Sequence, residues 1–85
     1  MNYWRRTISV FEKIKRIVAK EFDVNATEIL PKSSFADDLG VDSLGYVILL
    51  QALEEEFDME FPDEETMDLR TVEDAVKYIE SKIQK

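Results

Sequence analysis

The sequence predicts an all-α fold: a small four-helix bundle of three longer helices and one short helix, with a long loop between helices I and II. Three observations lead there. Apolar residues recur at i, i+3, i+4 and i+7 in three separate windows, the spacing of a buried helix face. No stretch sustains the two-residue alternation of a half-buried strand. Helix-starting residues (Ser9, Asp42, Thr71) stand ahead of those windows, and Pro31 and Gly40 interrupt the chain between the first two.

Residues 1–8 read as a short N-terminal leader and 9–85 as one helical domain. The leader holds Tyr3, Trp4, Arg5 and Arg6 and is basic and acid-poor, as transit peptides are; the simpler reading is that it precedes helix I. Trp4, Ile8 and Phe11 also stand at i, i+4 and i+7, which would permit an earlier start. Ser9-Val10-Phe11-Glu12 has the form of a capping box and sets the start at Val10, which we adopt. Helix I then runs to about Phe22. Phe11, Ile14, Ile17, Val18 and Phe22 share one face, while Lys13, Lys15, Arg16 and Lys20 hold the other.

Asp23 to Asp42 is a longer connection than a compact helix pair needs. Asn25-Ala26-Thr27-Glu28-Ile29 is expected to form one helical turn, Leu30 and Phe35 to pin the loop to the core, and Pro31 to stop any continuation. Asn25-Ala26-Thr27 also matches a glycosylation sequon; nothing points to secretion, and it is set aside.

Helix II spans Ser43 to Phe57. Asp42 is a good N-cap, its carboxylate accepting the unpaired backbone N–H groups of the first turn. Ser43 is thereby the first helical residue, its hydroxyl exposed at the positive end of the helix dipole. A phosphate ester there would sit where backbone N–H groups favour an anion. Tyr46, Leu49, Leu50, Leu53 and Phe57 form a complete core stripe. Leu44, Val47 and Ile48 lie on a second face with Gln51 and Glu55. Either the loop covers part of this stripe or it is an apolar patch rimmed by acids, the mark of a docking site. Docking is the reading for Leu44 and Ile48, and Val47 fits both.

Asp58 to Pro62 turns the chain, and Asp63 is expected to cap a third helix of one or two turns. Helix IV opens at the Thr71-Val72-Glu73-Asp74 cap pattern and is expected to bury Val72, Ala75, Val76, Ile79 and Ile83.

Composition narrows the function. The 85 residues contain no cysteine and no histidine, so thiolate chemistry is absent, as is the commonest general base and metal ligand. A catalyst built here would rely on carboxylates, lysine or tyrosine, which leans against an enzyme; no catalytic or metal-binding residue is assigned. Residues 1–20 hold six basic residues against one acid, a charge of +5, and the remainder five against eighteen, −13, giving −8 overall. Between Lys32 and Arg70 there are twelve acids and no base. Such a field repels nucleic acid and anionic membranes and steers partners that carry basic patches. No twelve-residue window has the ligand order of a helix–loop–helix calcium site. There is no apolar run of membrane-spanning length and no secretory apolar segment. The expectation is a cytoplasmic monomer that binds neither nucleic acid nor membrane.

From Phe35 to Glu65 the chain resembles the acyl carrier proteins. The resemblance rests on Asp42-Ser43-Leu44, Ala52-Leu53-Glu54-Glu55-Glu56-Phe57 and Pro62-Asp63-Glu64-Glu65, and continues more loosely from about Ile8 to Ile83. It implies that Ser43 receives 4′-phosphopantetheine from coenzyme A, transferred by a separate Mg²⁺-dependent holo-carrier synthase (a phosphopantetheinyl transferase). Asp42 would then help position metal and serine. The implied partners are that synthase and the acyl-transfer and ketoacyl synthase enzymes of fatty-acid-type synthesis, docking through basic or apolar patches. An aminoacyl or peptidyl carrier is the alternative, and the Glu54–Phe57 and Pro62–Glu65 motifs favour the fatty-acid type.

The resemblance also places partner docking on Leu44, Gly45, Val47, Ile48, Gln51, Glu54 and Glu55. Here the chain departs from the family: Gly45 and Ile48 stand where acids are usual, and Gln51 where a methionine is common, which suits a specialised pathway. Candidates to line an acyl pocket are Phe35, Tyr46, Leu49, Leu53 and Ile79, each equally explained as ordinary core. Each methylene removed from water contributes roughly 0.8 kcal/mol, so sheltering six would contribute about 5 kcal/mol before costs.

Overall fold

A computed structural model of the chain describes residues 9–83, so the leader and its Trp4–Ile8 pattern lie outside the described residues. Those residues form α1 (Val10–Phe22), a single 3-10 turn (Ala26–Glu28), α2 (Ser43–Phe57), α3 (Asp63–Thr66) and α4 (Val72–Ile83). The three longer helices are those the apolar periodicity predicts, and the short one stands where the turn after α2 led us to expect it.

Local chemistry sets most boundaries. Ser9 Oγ accepts the Glu12 N–H at 3.1 Å, starting α1 at Val10. Glu12 turns its own carboxylate to Lys15, at 3.3 Å. Both α1 and α2 end on an aspartate in the left-handed conformation, Asp23 (φ 56°) and Asp58 (φ 55°), a role usually taken by glycine that aspartate tolerates. Asn25 Oδ1 accepts the Thr27 N–H at 3.0 Å and opens the 3-10 turn. Thr71 and Asp74 make a reciprocal cap on α4: Thr71 Oγ1 accepts the Asp74 N–H at 3.1 Å, and Asp74 Oδ2 accepts the Thr71 N–H at 3.2 Å.

The α3 boundary differs from expectation. Asp63 is its first helical residue rather than its cap; Pro62 holds the cap position and offers no side-chain acceptor. Asp63, Glu64 and Glu65 fill that turn, and the Glu65 carboxylate turns to α4, accepting from Tyr78 Oη at 2.7 Å and pairing with Lys82 at 3.2 Å.

The core joins Ile14 and Val18 of α1, Leu49 and Leu53 of α2, and Val72, Ala75 and Ile79 of α4. Loop residues Ile29, Phe35, Leu39, Val41 and Phe61 complete it. The long loop is therefore part of the packing. It is tied to the start of α4 by Phe35 N–H to the Arg70 carbonyl (2.9 Å), Val72 N–H to Ser33 (3.0 Å) and Glu73 N–H to Pro31 (2.8 Å).

Two apolar residues expected inside are outside. Leu30 is 59% exposed, because Ile29 ends the 3-10 turn in extended backbone and points inward, and the next side chain points the opposite way. Ile29 does the pinning assigned to Leu30. Ile83 is 52% exposed, one turn beyond the fully buried Ile79. Val76 packs against the core only partly buried.

Candidate functional site

The loop delivers Ser43 by a chain of short-range bonds. Ser34 N–H donates to Asp38 Oδ2 at 2.7 Å, while Asp38 N–H and Leu39 N–H return to the Ser34 carbonyl. Gly40 (φ 70°) then reverses the backbone in a region that glycine enters freely. Val41 is buried and bonded through its N–H to the Phe35 carbonyl at 2.8 Å, which fixes where α2 begins. Asp42 caps the helix: its Oδ1 accepts the Gly45 N–H at 2.7 Å and its carbonyl the Tyr46 N–H at 2.8 Å. Ser43 follows as the first helical residue, exposed.

Beside Ser43 opens a cleft of about 780 Å³. Phe35, Val41, Tyr46, Met67 and Leu69 supply its apolar wall, and Ser34, Asp37, Asp42, Ser43 and Arg70 its polar edge. The Phe35 and Tyr46 rings pack at 6.3 Å between centroids with planes tilted by 56°. Tyr46 Oη donates to the Thr66 carbonyl at 2.6 Å, tying α2 to the end of α3. Burial, reinforced by the negative fields of Asp68 and Asp74, pushes the Tyr46 phenol up to about 12, so it stays a neutral donor at ordinary pH.

The structure divides the expected pocket residues. Phe35 and Tyr46 line the cleft. Leu49, Leu53 and Ile79 do not; each is at most 1% exposed within the closed core. Sequence reasoning missed Val41, Met67, Leu69 and Arg70. Met67 and Leu69 fall between α3 and α4, outside any helical stripe, and periodicity gives no signal for them.

The expected docking residues divide as well. Leu44 (69% exposed), Val47 (51%) and Ile48 (41%) form an open apolar face beside exposed Gln51 and Glu55. The loop does not cover it. Gly45 belongs elsewhere: it is buried, and a side-chain carbon built there would lie 3.0 Å from Phe22 Cε1 and 3.4 Å from Val41 Cγ1. Its small size serves packing of α1 against the start of α2. Glu54 is half-buried, with Oε2 accepting the Phe61 N–H at 2.7 Å, which holds the turn after α2.

The arrangement suits a phosphate-linked chain. It offers a free hydroxyl at a helix N-terminus, an apolar-walled cleft alongside, and Arg70 on the same cleft. Among the described residues no group of acids is gathered closely enough to hold a metal ion, and no helix is long and apolar enough to cross a membrane.

Comparison with known proteins points the same way. Residues 12–79 match the family model described as a phosphopantetheine attachment site. The chain is 56% identical over 72 residues to the acyl carrier protein of Clostridium acetobutylicum, covering 85% of this chain and 94% of that one. It is similar in structure to the solution structure of a protein assigned as an acyl carrier protein from Anaplasma phagocytophilum. That match has a TM-score of 0.76 and 32% identity, over 86% of each chain.

Proposed function

Since the chain belongs to the acyl carrier proteins, we propose that Ser43 is the residue that bears the family's cofactor, 4′-phosphopantetheine. The bound group supplies a thiol that holds acyl groups as thioesters, chemistry that a chain without cysteine lacks. The protein is a carrier, handed between a phosphopantetheinyl transferase and the enzymes of fatty-acid synthesis.

One observation carries the choice of Ser43. All five serines lie among the described residues, and four have their hydroxyls engaged. Ser9 accepts from Glu12, Ser33 from Leu30 and Ser34 from Asp37, while Ser81 donates to the Tyr78 carbonyl. Ser43 alone is left exposed with an uncommitted hydroxyl, at the head of α2 and on the rim of the cleft. Attachment joins Ser43 Oγ to the pantetheine-side phosphorus of coenzyme A and breaks the pyrophosphate P–O bond, releasing adenosine 3′,5′-bisphosphate. The hydroxyl proton passes to a base on the transferase. Asp42 gives one carboxylate oxygen to the Gly45 N–H, capping the helix next to Ser43, and its other oxygen would be the one to help hold the Mg²⁺ of the transfer.

The outward face of Leu44, Val47, Ile48, Gln51 and Glu55 is the proposed docking surface. Its apolar centre and acidic rim suit enzymes that present an apolar pocket ringed by basic residues.

The test is direct. The apo-protein, incubated with coenzyme A, Mg²⁺ and a phosphopantetheinyl transferase, should gain the mass of one phosphopantetheine, and Ser43→Ala should gain none. Loading that persists in Ser43→Ala, or maps to Ser33, Ser34 or Ser81, overturns the assignment.

A further inference from the structure

We propose that Tyr46 bars the way from the cleft at Ser43 into the helical core, so that this carrier shelters only short acyl groups and leaves longer chains outside. The inference rests on the assignment of Ser43 and adds to it the class of cargo.

The order of residues along α2 supplies the geometry. Ser43 opens the helix, and Tyr46, Leu49 and Leu53 follow on its inward stripe. At the helical rise, Leu49 lies about 4.5 Å and Leu53 about 10 Å deeper than Tyr46 along the axis. A chain leaving Ser43 for the interior therefore meets the Tyr46 ring first. Tyr46 lines the cleft, whereas Leu49, Leu53 and Ile79 are sealed from it.

The ring is held in that position. Phe35, itself 3% exposed, packs against it from the loop, and its hydroxyl is anchored on the Thr66 carbonyl at 2.6 Å. Swinging the ring aside would strip the carbonyl of its short donor and leave it the 3.4 Å contact from Leu69 N–H. Thr66 is 2% exposed, so water does not readily replace that donor. The cleft outside the ring is apolar but shallow-walled, with Asp37 and Arg70 on its edge. An acetyl or butyryl group fits such a place. The tail of an octanoyl or decanoyl group would have to lie along Met67, the 76% exposed part of the cleft's wall, where it stays in contact with water.

The experiment loads Ser43 with acetyl-, butyryl-, octanoyl- or decanoyl-phosphopantetheine, verifies each product by intact mass, and measures thioester cleavage by hydroxylamine. Absence of the mass increment would count against Ser43 itself; the cleavage series is read only on loaded protein and bears on Tyr46 alone. In the wild type, butyryl should be protected relative to the free thioester, and decanoyl should be cleaved within about twofold of the free thioester. Tyr46→Ala should slow decanoyl cleavage about tenfold and leave acetyl unchanged. Tyr46→Phe keeps the ring but frees it from Thr66, and should slow decanoyl cleavage by an intermediate factor. Tenfold protection of decanoyl in the wild type overturns the proposal whether or not either variant folds. So does unchanged decanoyl cleavage in a Tyr46→Ala protein whose helical circular dichroism matches the wild type.

Discussion

Phe22 and Gly45 are fitted to one another: the ring edge of Phe22 occupies the place where a side chain at position 45 would begin, 3.0 Å from its first carbon. The same carbon would stand 3.1 Å from Asp42 Oδ1, the oxygen that caps α2. Position 45 is therefore a packing position beneath Ser43, even though the family resemblance sets it on the docking face.

The consequence is measurable in melts. Replacing Gly45 by Ala gains up to about 1 kcal/mol in helix propensity but presses on Phe22 and Asp42. The expected net change is small, because the half-buried Phe22 ring can yield by a few tenths of an ångström. Gly45→Asp forces a second carboxylate beside Asp42 and should cost about 1–3 kcal/mol. Urea unfolding that finds Gly45→Asp as stable as the wild type would show that the position is open.

Ile48 is the surface counterpart. At 41% exposure, Ile48→Glu should leave stability within about 0.5 kcal/mol of the wild type. It should speed dissociation from a partner with an apolar pocket at that point, while raising the association rate with a general ketoacyl synthase whose docking patch is basic. Binding kinetics at low and physiological salt separate the two effects. Unchanged rates with both partners would make Ile48 idle surface.

The acidic stretch bears on stability through self-repulsion. Twelve acids without a base between Lys32 and Arg70 should make the melting temperature rise with added NaCl, and more steeply with millimolar Mg²⁺ or Ca²⁺. No acid group among the described residues is arranged as a metal site, so the divalent response should climb gradually without a tight saturating phase. A flat melting temperature in both titrations would show that the field costs the fold little.

Asp74 gives a pH signature. Partial burial by itself would raise its carboxyl, but the Arg70 and Thr71 N–H groups, the Thr71 hydroxyl and Lys77 outweigh that and hold it below the usual carboxylate range. A carboxyl lower in the folded than in the unfolded chain contributes stability that is complete above the ordinary value, about 3.9, and is lost as pH falls through the folded value. Asp74→Ala should therefore cost about 1 kcal/mol near neutrality and show a shallower acid limb than the wild type. Parallel acid limbs for the two proteins would remove Asp74 from the account.

What the amino-acid order determined by itself is what lies within a few residues. Ser9 starts α1, Asp42 starts α2 and Thr71 starts α4, each by a side-chain oxygen on a nearby backbone N–H, so these boundaries are legible in the chain. The same locality puts Ser43 at the head of a helix. The tertiary structure alone decided which side of each element faces inward once distant segments meet. Phe35 reaches Arg70 through their backbones, and that pairing builds the cleft from segments 34–46 and 67–70, far apart in sequence. Phe22 turns Gly45 into a packing position, Phe61 turns Glu54 from rim to brace, and Ile29 turns Leu30 outward. Periodicity reports that a helix has an apolar face, but what covers that face depends on contacts that only the folded chain brings together.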